Sequence, residues 1–218
     1  MDLELLTSFL ASAVRVATPL LLAALGETIA ERGGVINLGI EGAMLAGALA
    51  AALGASGGGV WAGTAAALLA GVVVAALFAV VAVRARADQI ITGTAITLAA
   101  VGLTGAVYRR AYGPEGVGLT LPTFAVLPVP GLSRLPVVGP ALFAQSVLTY
   151  AGYLAVPLLW WLMFRTRWGL ELRAAGESGS DSRAAGVPVE RLRTVGVLIG
   201  GGLAGLAGAS LVLAQVGT

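Results

Sequence analysis

From Gly42 to Val83 the chain carries no charged residue, and the same holds for Gln89–Tyr108, Leu135–Phe164 and Thr194–Thr218. A helix that crosses a bilayer needs about 20 successive apolar residues. The helices of a water-soluble protein keep one polar face instead. Uncharged runs of this length, repeated along 218 residues, predict an all-α fold, a polytopic transmembrane helix bundle. Composition agrees, because charged residues make up 11% of the chain against about 25% in soluble domains. Asp2 and Glu4 stand where a cleavable signal would be basic. The first apolar run therefore reads as a permanent span.

Six spans are expected, over Ser8–Leu25, Ile40–Leu53, Val60–Val83, Gln89–Tyr108, Gln145–Phe164 and Thr194–Gln215. Arg15 and Pro19 interrupt the first, and the glycine-rich turn Gly54–Gly59 separates the second from the third. Two loops stand out. Arg109–Ala144 holds six prolines between Pro114 and Pro140, so no long helix is expected there. Arg165–Arg193 holds six of the 13 arginines and reads as a loop of one or two short helices along the membrane. Every basic residue is an arginine, and their placement reports topology: basic loops stay in the cytoplasm. That rule puts Arg165–Arg193 inside, with Arg84 and Arg86, and Arg109–Ala144 and the N-terminus outside. The chain reads as one domain over 1–218. The last span runs almost to Thr218 with no polar tail, which predicts a C-terminally incomplete domain.

The chain has no cysteine and no histidine. That removes disulfides, thiolate and imidazole metal sites, and Ser-His or Cys-His catalysis. No metal, no cofactor and no enzymatic activity are expected. No Walker A sequence is present, so ATP is not bound by that route.

The polar residues concentrate at span boundaries. Gly26–Gly42 (GETIAERGGVINLGIEG) places Glu27, Glu31, Arg32, Asn37 and Glu41 among glycines between two apolar runs. Non-helical backbone at membrane depth survives only where protein or a water cavity satisfies it. A broken helix near residues 26–42, of the kind that lines transport sites, is one reading. A solvated turn, with Glu41 favouring the positive N-terminus of the next helix, is the other. Gln89, Thr92, Thr94 and Thr97 open the fourth span and face either a polar cavity or their own helix carbonyls. Asn37, Glu41 and Gln89 are the candidates for a substrate path. The tryptophans and tyrosines fall mostly near span ends, as an aromatic belt does.

Over nearly its whole length the chain resembles permease subunits of bacterial ABC importers, in the branch that handles nucleosides and simple sugars. GETIAERGGVINLGIEGAMLAGA (Gly26–Ala48) resembles the N-terminal signature of that branch, and ADQIITGTAITLAAVGLTG (Ala87–Gly105) its second block. LPVVGPALFAQSVLTY (Leu135–Tyr150), GLELRAAGESGSDSRAAGVPVERLR (Gly169–Arg193) and GGGLAGLAGASLVLAQVG (Gly200–Gly217) resemble the blocks that follow. The resemblance implies a multi-pass protein of a bacterial cell membrane. It implies a cytoplasmic coupling loop, 165–193, that docks on an ABC ATPase subunit. The matching positions there are Arg173, Ala174, Ala175, Gly176 and Glu177, with Ala184, Ala185 and Gly186. It also implies a second permease subunit and an extracytoplasmic substrate-binding protein as partners, membrane lipid around the spans, and no nucleic acid. Relatives continue with further spans beyond the point where this chain stops.

The function expected is ATP-driven import of nucleosides or related simple sugars by alternating access. The alternative is a secondary transporter or channel for a small polar solute. That alternative needs ionisable residues within the spans, and Arg15 is the clearest one.

Overall fold

The computed structural model describes residues 3–113 and 121–215, so part of the loop expected over Arg109–Ala144 lies outside the described residues. Helix α1 (Leu3–Arg32) is longer at both ends than the span expected over Ser8–Leu25. Gly26–Arg32 stays helical because it is rich in Glu, Ala and Arg, which favour helix. Arg32 in the last turn also complements the negative helix terminus. Pro19 does not interrupt the helix. It has no N–H to give to the carbonyl of Arg15, and the side-chain amide of Gln215 donates to that oxygen instead, at 2.8 Å. The break expected near residues 26–42 is thus confined to the stretch between Arg32 and Ile40.

Helix α2 (Ile40–Phe78) is helical on both sides of Gly59, which sits at φ 78°, ψ −179°. Only glycine holds that conformation cheaply. The chain reverses there. In a straight helix Gly47 and Gly71 would stand about 36 Å apart. Both instead abut Gly205: a Cβ on Gly47 would lie 2.6 Å from the Gly205 oxygen, and one on Gly71 2.8 Å from its Cα. The two arms, 40–58 and 60–78, form the antiparallel pair predicted from the glycine-rich turn. The first arm runs further than the expected end at Leu53.

A π-helical turn (Ala79–Arg84) ends the second arm, and α3 (Gln89–Tyr112) follows. Asp88 caps α3 by accepting from the N–H groups of Ile90 and Ile91, both at 2.9 Å. Beyond residue 120, two-residue strands β1 (Leu127–Pro128) and β2 (Ala144–Gln145) pair antiparallel, with the short helix α4 (Val138–Phe143) between them. No long helix forms among the described residues of this segment, as its prolines predict. Phe124 plugs it into the bundle. Its N–H donates to the Leu213 carbonyl at 2.8 Å, and its ring stands edge-on to Trp61, 5.2 Å between centroids.

Helix α5 (Val147–Arg165) is capped by Ser146, α6 (Arg167–Glu177) by Thr166 and α7 (Gly179–Ala184) by Ser178. Helix α8 (Val189–Leu213) completes the described chain. The expected loop 165–193 is therefore two short helices whose last residues have joined the first turns of α8.

α8 is the centre of the bundle, and most of its apolar stretch is buried. It is buried because it is small. Apolar side chains gain nothing by leaving lipid for one another, so packing in a membrane depends on close backbone approach. Gly200 meets Gly26 of α1, Gly201 meets Gly71, and Gly205 meets Ala67 and Gly71 of α2. Among the described residues, five helical stretches are long and apolar enough to cross a membrane: Leu3–Arg32, Ile40–Arg84, Gln89–Tyr112, Val147–Arg165 and Val189–Leu213. The second is the doubled-back pair.

Candidate functional site at the arginine-rich end

Arg86 reaches Glu190 at the start of α8 with a nitrogen–oxygen distance of 2.9 Å. This contact brings the α2–α3 connection to the same end of the bundle as α6 and α7. The C-terminus of α1 lies there too, since Arg193 donates through Nε to the Gly33 carbonyl at 2.8 Å and through Nη2 to Ala175 at 3.0 Å. The N-terminal half of α1, the Gly59 reversal and the Phe124 segment lie at the opposite end.

Residues 33–39 are the irregular backbone at this end, and their polar groups are taken up from three sides. The Ile36 N–H donates to Gln89 Oε1 at 2.8 Å, across from α3. The Asn37 N–H donates to Glu27 Oε1 at 2.8 Å, back to α1. Asn37 is itself buried, and its Oδ1 accepts the N–H of Gly39 at 3.1 Å. Thr97 of α3 donates to the Leu38 carbonyl at 3.0 Å. Each bond replaces one that water cannot supply in a membrane, where an unmet backbone group is costly.

Of the three candidates for a substrate path, the structure brings Asn37 and Gln89 to the same loop. Glu41 is exposed in the first turn of α2 and stands apart from those bonds. Gln89 and Arg193, with Val35, Arg86, Arg183 and Glu190, also line a cavity of about 250 Å³. Among the threonines of α3, Thr92 and Thr94 bond their own helix at Asp88 and Ile90, and Thr97 alone reaches across. Two residues matter here that the sequence did not single out. Glu27 stood in the polar cluster without being chosen for a role, and its place two residues after the apolar run that ends at Leu25 was the available signal. Arg193 carried no local signal, because its partner Gly33 is 160 residues away.

The eight positions matched to a coupling loop divide into two sets. Arg173, Ala175 and Gly176 face the bundle. Arg173 stacks its guanidinium 4.9 Å over the Phe164 ring, and Ala175 is buried. Gly176 packs so tightly on Arg32 and Gly34 that a Cβ would meet the Arg32 carbonyl. Ala174, Glu177, Ala184, Ala185 and Gly186 are exposed. Gly186 turns the chain at φ 84° with nothing within 4 Å of where a Cβ would stand. The α6–α7 element thus has a back fixed to α1 and α8 and a free tip.

Known proteins resemble the chain over most of its length. A model of the branched-chain amino acid transport system / permease component family matches residues 9–218. The chain is 40% identical over 205 residues to a Haloferax volcanii protein provisionally named the glucose ABC transporter permease protein TsgC13. That match covers 92% of this chain and 61% of the relative. It is 34% identical over 219 residues to the guanosine ABC transporter permease protein NupQ of Bacillus subtilis, covering 95% and 68%. It is 34% identical over 203 residues to the nucleoside ABC transporter permease protein NupC of Lactococcus lactis, covering 88% and 63%. The chain therefore spans about two thirds of the length of the curated relatives it matches. No solved structure matches it. The family match and the five apolar helical stretches together make this chain a multi-pass cell-membrane protein that belongs to the branched-chain amino acid transport system / permease component family.

Proposed function

We propose that the chain is the membrane-spanning subunit of an ATP-binding-cassette importer for nucleosides or related simple sugars. Separate ATPase subunits supply the energy, a second permease subunit completes the path, and an extracytoplasmic binding protein delivers the substrate. The arginine-rich end faces the cytoplasm, as the positive-inside rule requires. The reading rests above all on the two-sided α6–α7 element. Its exposed tip, Ala184 to Gly186, offers a surface to an ATPase subunit. Its buried back, Ala175 and Gly176, carries any displacement into Arg193 and residues 33–39. That loop is bonded to Gln89 of α3, so α3 moves with it. Asn37, Gln89 and Glu41 then stand near the inner mouth of the path. The names of the relatives, guanosine, nucleoside and glucose permeases, support the substrate class.

The test is reconstitution of the chain with its ATPase and second permease in liposomes, with binding protein supplied outside. Labelled guanosine and glucose are offered in turn. ATP-dependent uptake of either one supports the proposal. Uptake that follows a proton or sodium gradient without ATP sinks it.

A further inference from the structure

The cavity of about 250 Å³ at the arginine-rich end is lined by three arginines, Arg86, Arg183 and Arg193, against one acidic residue, Glu190. Most drug-sized ligands occupy about 300–1,000 Å³, so this space suits one small charged group. Two of its residues, Arg193 and Gln89, are anchored by hydrogen bonds to backbone. Arg193 is held by its bonds to Gly33 and Ala175, which leave Nη1 uncommitted among the described residues. Gln89 spends Oε1 on the Ile36 N–H, which leaves its amide nitrogen as a donor. Arg86 stands in the left-handed backbone region at φ 57°, unusual for a residue with a side chain. Strained positions of this kind persist where surrounding structure holds them, often at ligand clamps. Glu190 pairs directly with Arg86 at 2.9 Å, and one carboxylate faces three arginines around the cavity.

We propose that this cavity binds a phosphate-type oxyanion. A tetrahedral anion offers several acceptor oxygens to converging planar guanidinium donors, which arginine matches better than lysine. The site is bounded by the first turn of α3, by α7 and by α8, so an occupant ties together the two connections that meet there. The anion comes either from a soluble phosphate or phosphate monoester or from the headgroup of an anionic lipid. The inference does not depend on what the chain transports, and its test reads binding rather than uptake.

The full chain is placed in nanodiscs of phosphatidylcholine and titrated with inorganic phosphate, then with glycerol phosphate, chloride holding ionic strength constant. The readout is the thermal midpoint. A saturable rise is expected. Arg183→Gln, an exposed position, is expected to weaken the apparent affinity about tenfold, the worth of one charge-assisted hydrogen bond. Arg86→Gln should do the same, and if that variant fails to fold, Arg183→Gln decides alone. Arg165→Gln, an exposed arginine away from the cavity, should leave the response unchanged. No saturable rise, or an equal response in Arg183→Gln, overturns the proposal. Nanodiscs of phosphatidylglycerol separate the sources. A raised starting midpoint with no further phosphate response assigns the lipid headgroup, and an undiminished response assigns the soluble anion.

Discussion

Gly205→Ala tests whether α8 is central because it is small. The added Cβ would collide with the Ala67 carbonyl oxygen and stand 3.0 Å from the Ala67 carbonyl carbon and 3.2 Å from Gly71 Cα. Carbon atoms pack best at about 3.5–4.0 Å. The backbones of α8 and the second arm of α2 must therefore part by about 0.5–1 Å. A gap of that size forfeits a quarter to a half of each pairwise attraction across the seam. Overpacking of this kind costs about 1–3 kcal/mol, and backbone on the receiving side places this site near the upper end. Alanine regains about 1 kcal/mol over glycine in a helix, for a net loss of about 1–2 kcal/mol. Gly202→Ala, three residues away, is the matched control. A Cβ there would stand 3.4 Å from Val72 Cγ2, an ordinary contact, so this variant should be neutral or stabilised by up to about 1 kcal/mol. Unfolding of both variants in identical nanodiscs, followed by tryptophan fluorescence, measures the difference. Gly205→Ala matching Gly202→Ala in stability would refute the close-packing account.

Gly59→Ala should cost about 1–3 kcal/mol through its φ of 78°, seen as a lower unfolding midpoint; an unchanged midpoint would mean the chain does not reverse there. Asn37→Ala removes the acceptor for the Gly39 N–H and should destabilise by about 1–3 kcal/mol. Faster hydrogen exchange over residues 33–39 is the sign to look for, and unchanged exchange counts against the bond. The chain has no cysteine, so single cysteines report sidedness cleanly. An impermeant thiol reagent should label Ser56→Cys in intact cells and Ser180→Cys only after permeabilisation, and the reverse pattern would invert the topology. Glu177→Ala, at an exposed position, should leave insertion and thermal stability intact while ATP hydrolysis by the assembled transporter loses its link to uptake. Wild-type uptake in that variant would remove Glu177 from the coupling surface.

The bundle was legible where the signal was local. Long apolar runs, uncharged but for Arg15 in the first span and Glu41 at the start of the second, marked the helices; the glycine cluster Gly54–Gly59 marked the reversal, and the prolines from Pro114 to Pro140 a segment without a long helix. Helix ends were read less well. α1 continues through Gly26–Arg32 because helix propensity carried on past the apolar run, and hydropathy alone cannot see that. The hydrogen-bonded loop 33–39 was partly legible. Asn37 and Gln89 were picked as polar residues beside apolar runs, and both hold residues 33–39. Glu41 was picked on the same ground and stands exposed, because polarity at a span boundary does not say which way a side chain points.

The sequence by itself determined the environment and the class of fold. A chain with so few charges in such long gaps must satisfy its backbone within helices and give its side chains to lipid, whatever their arrangement. The family signature in Gly26–Ala48 and Gly169–Arg193 was also there to read. Only the tertiary structure decided which helix lies at the centre and which residues meet. Small residues permit close approach without choosing a partner, so Gly205 could be assigned to Gly47 and Gly71 only once the chain had reversed. Arg193 likewise became the pin between α1, α6 and α8 only when distant segments came together. Hydrogen bonds formed across 160 residues leave no periodic trace in the chain that makes them.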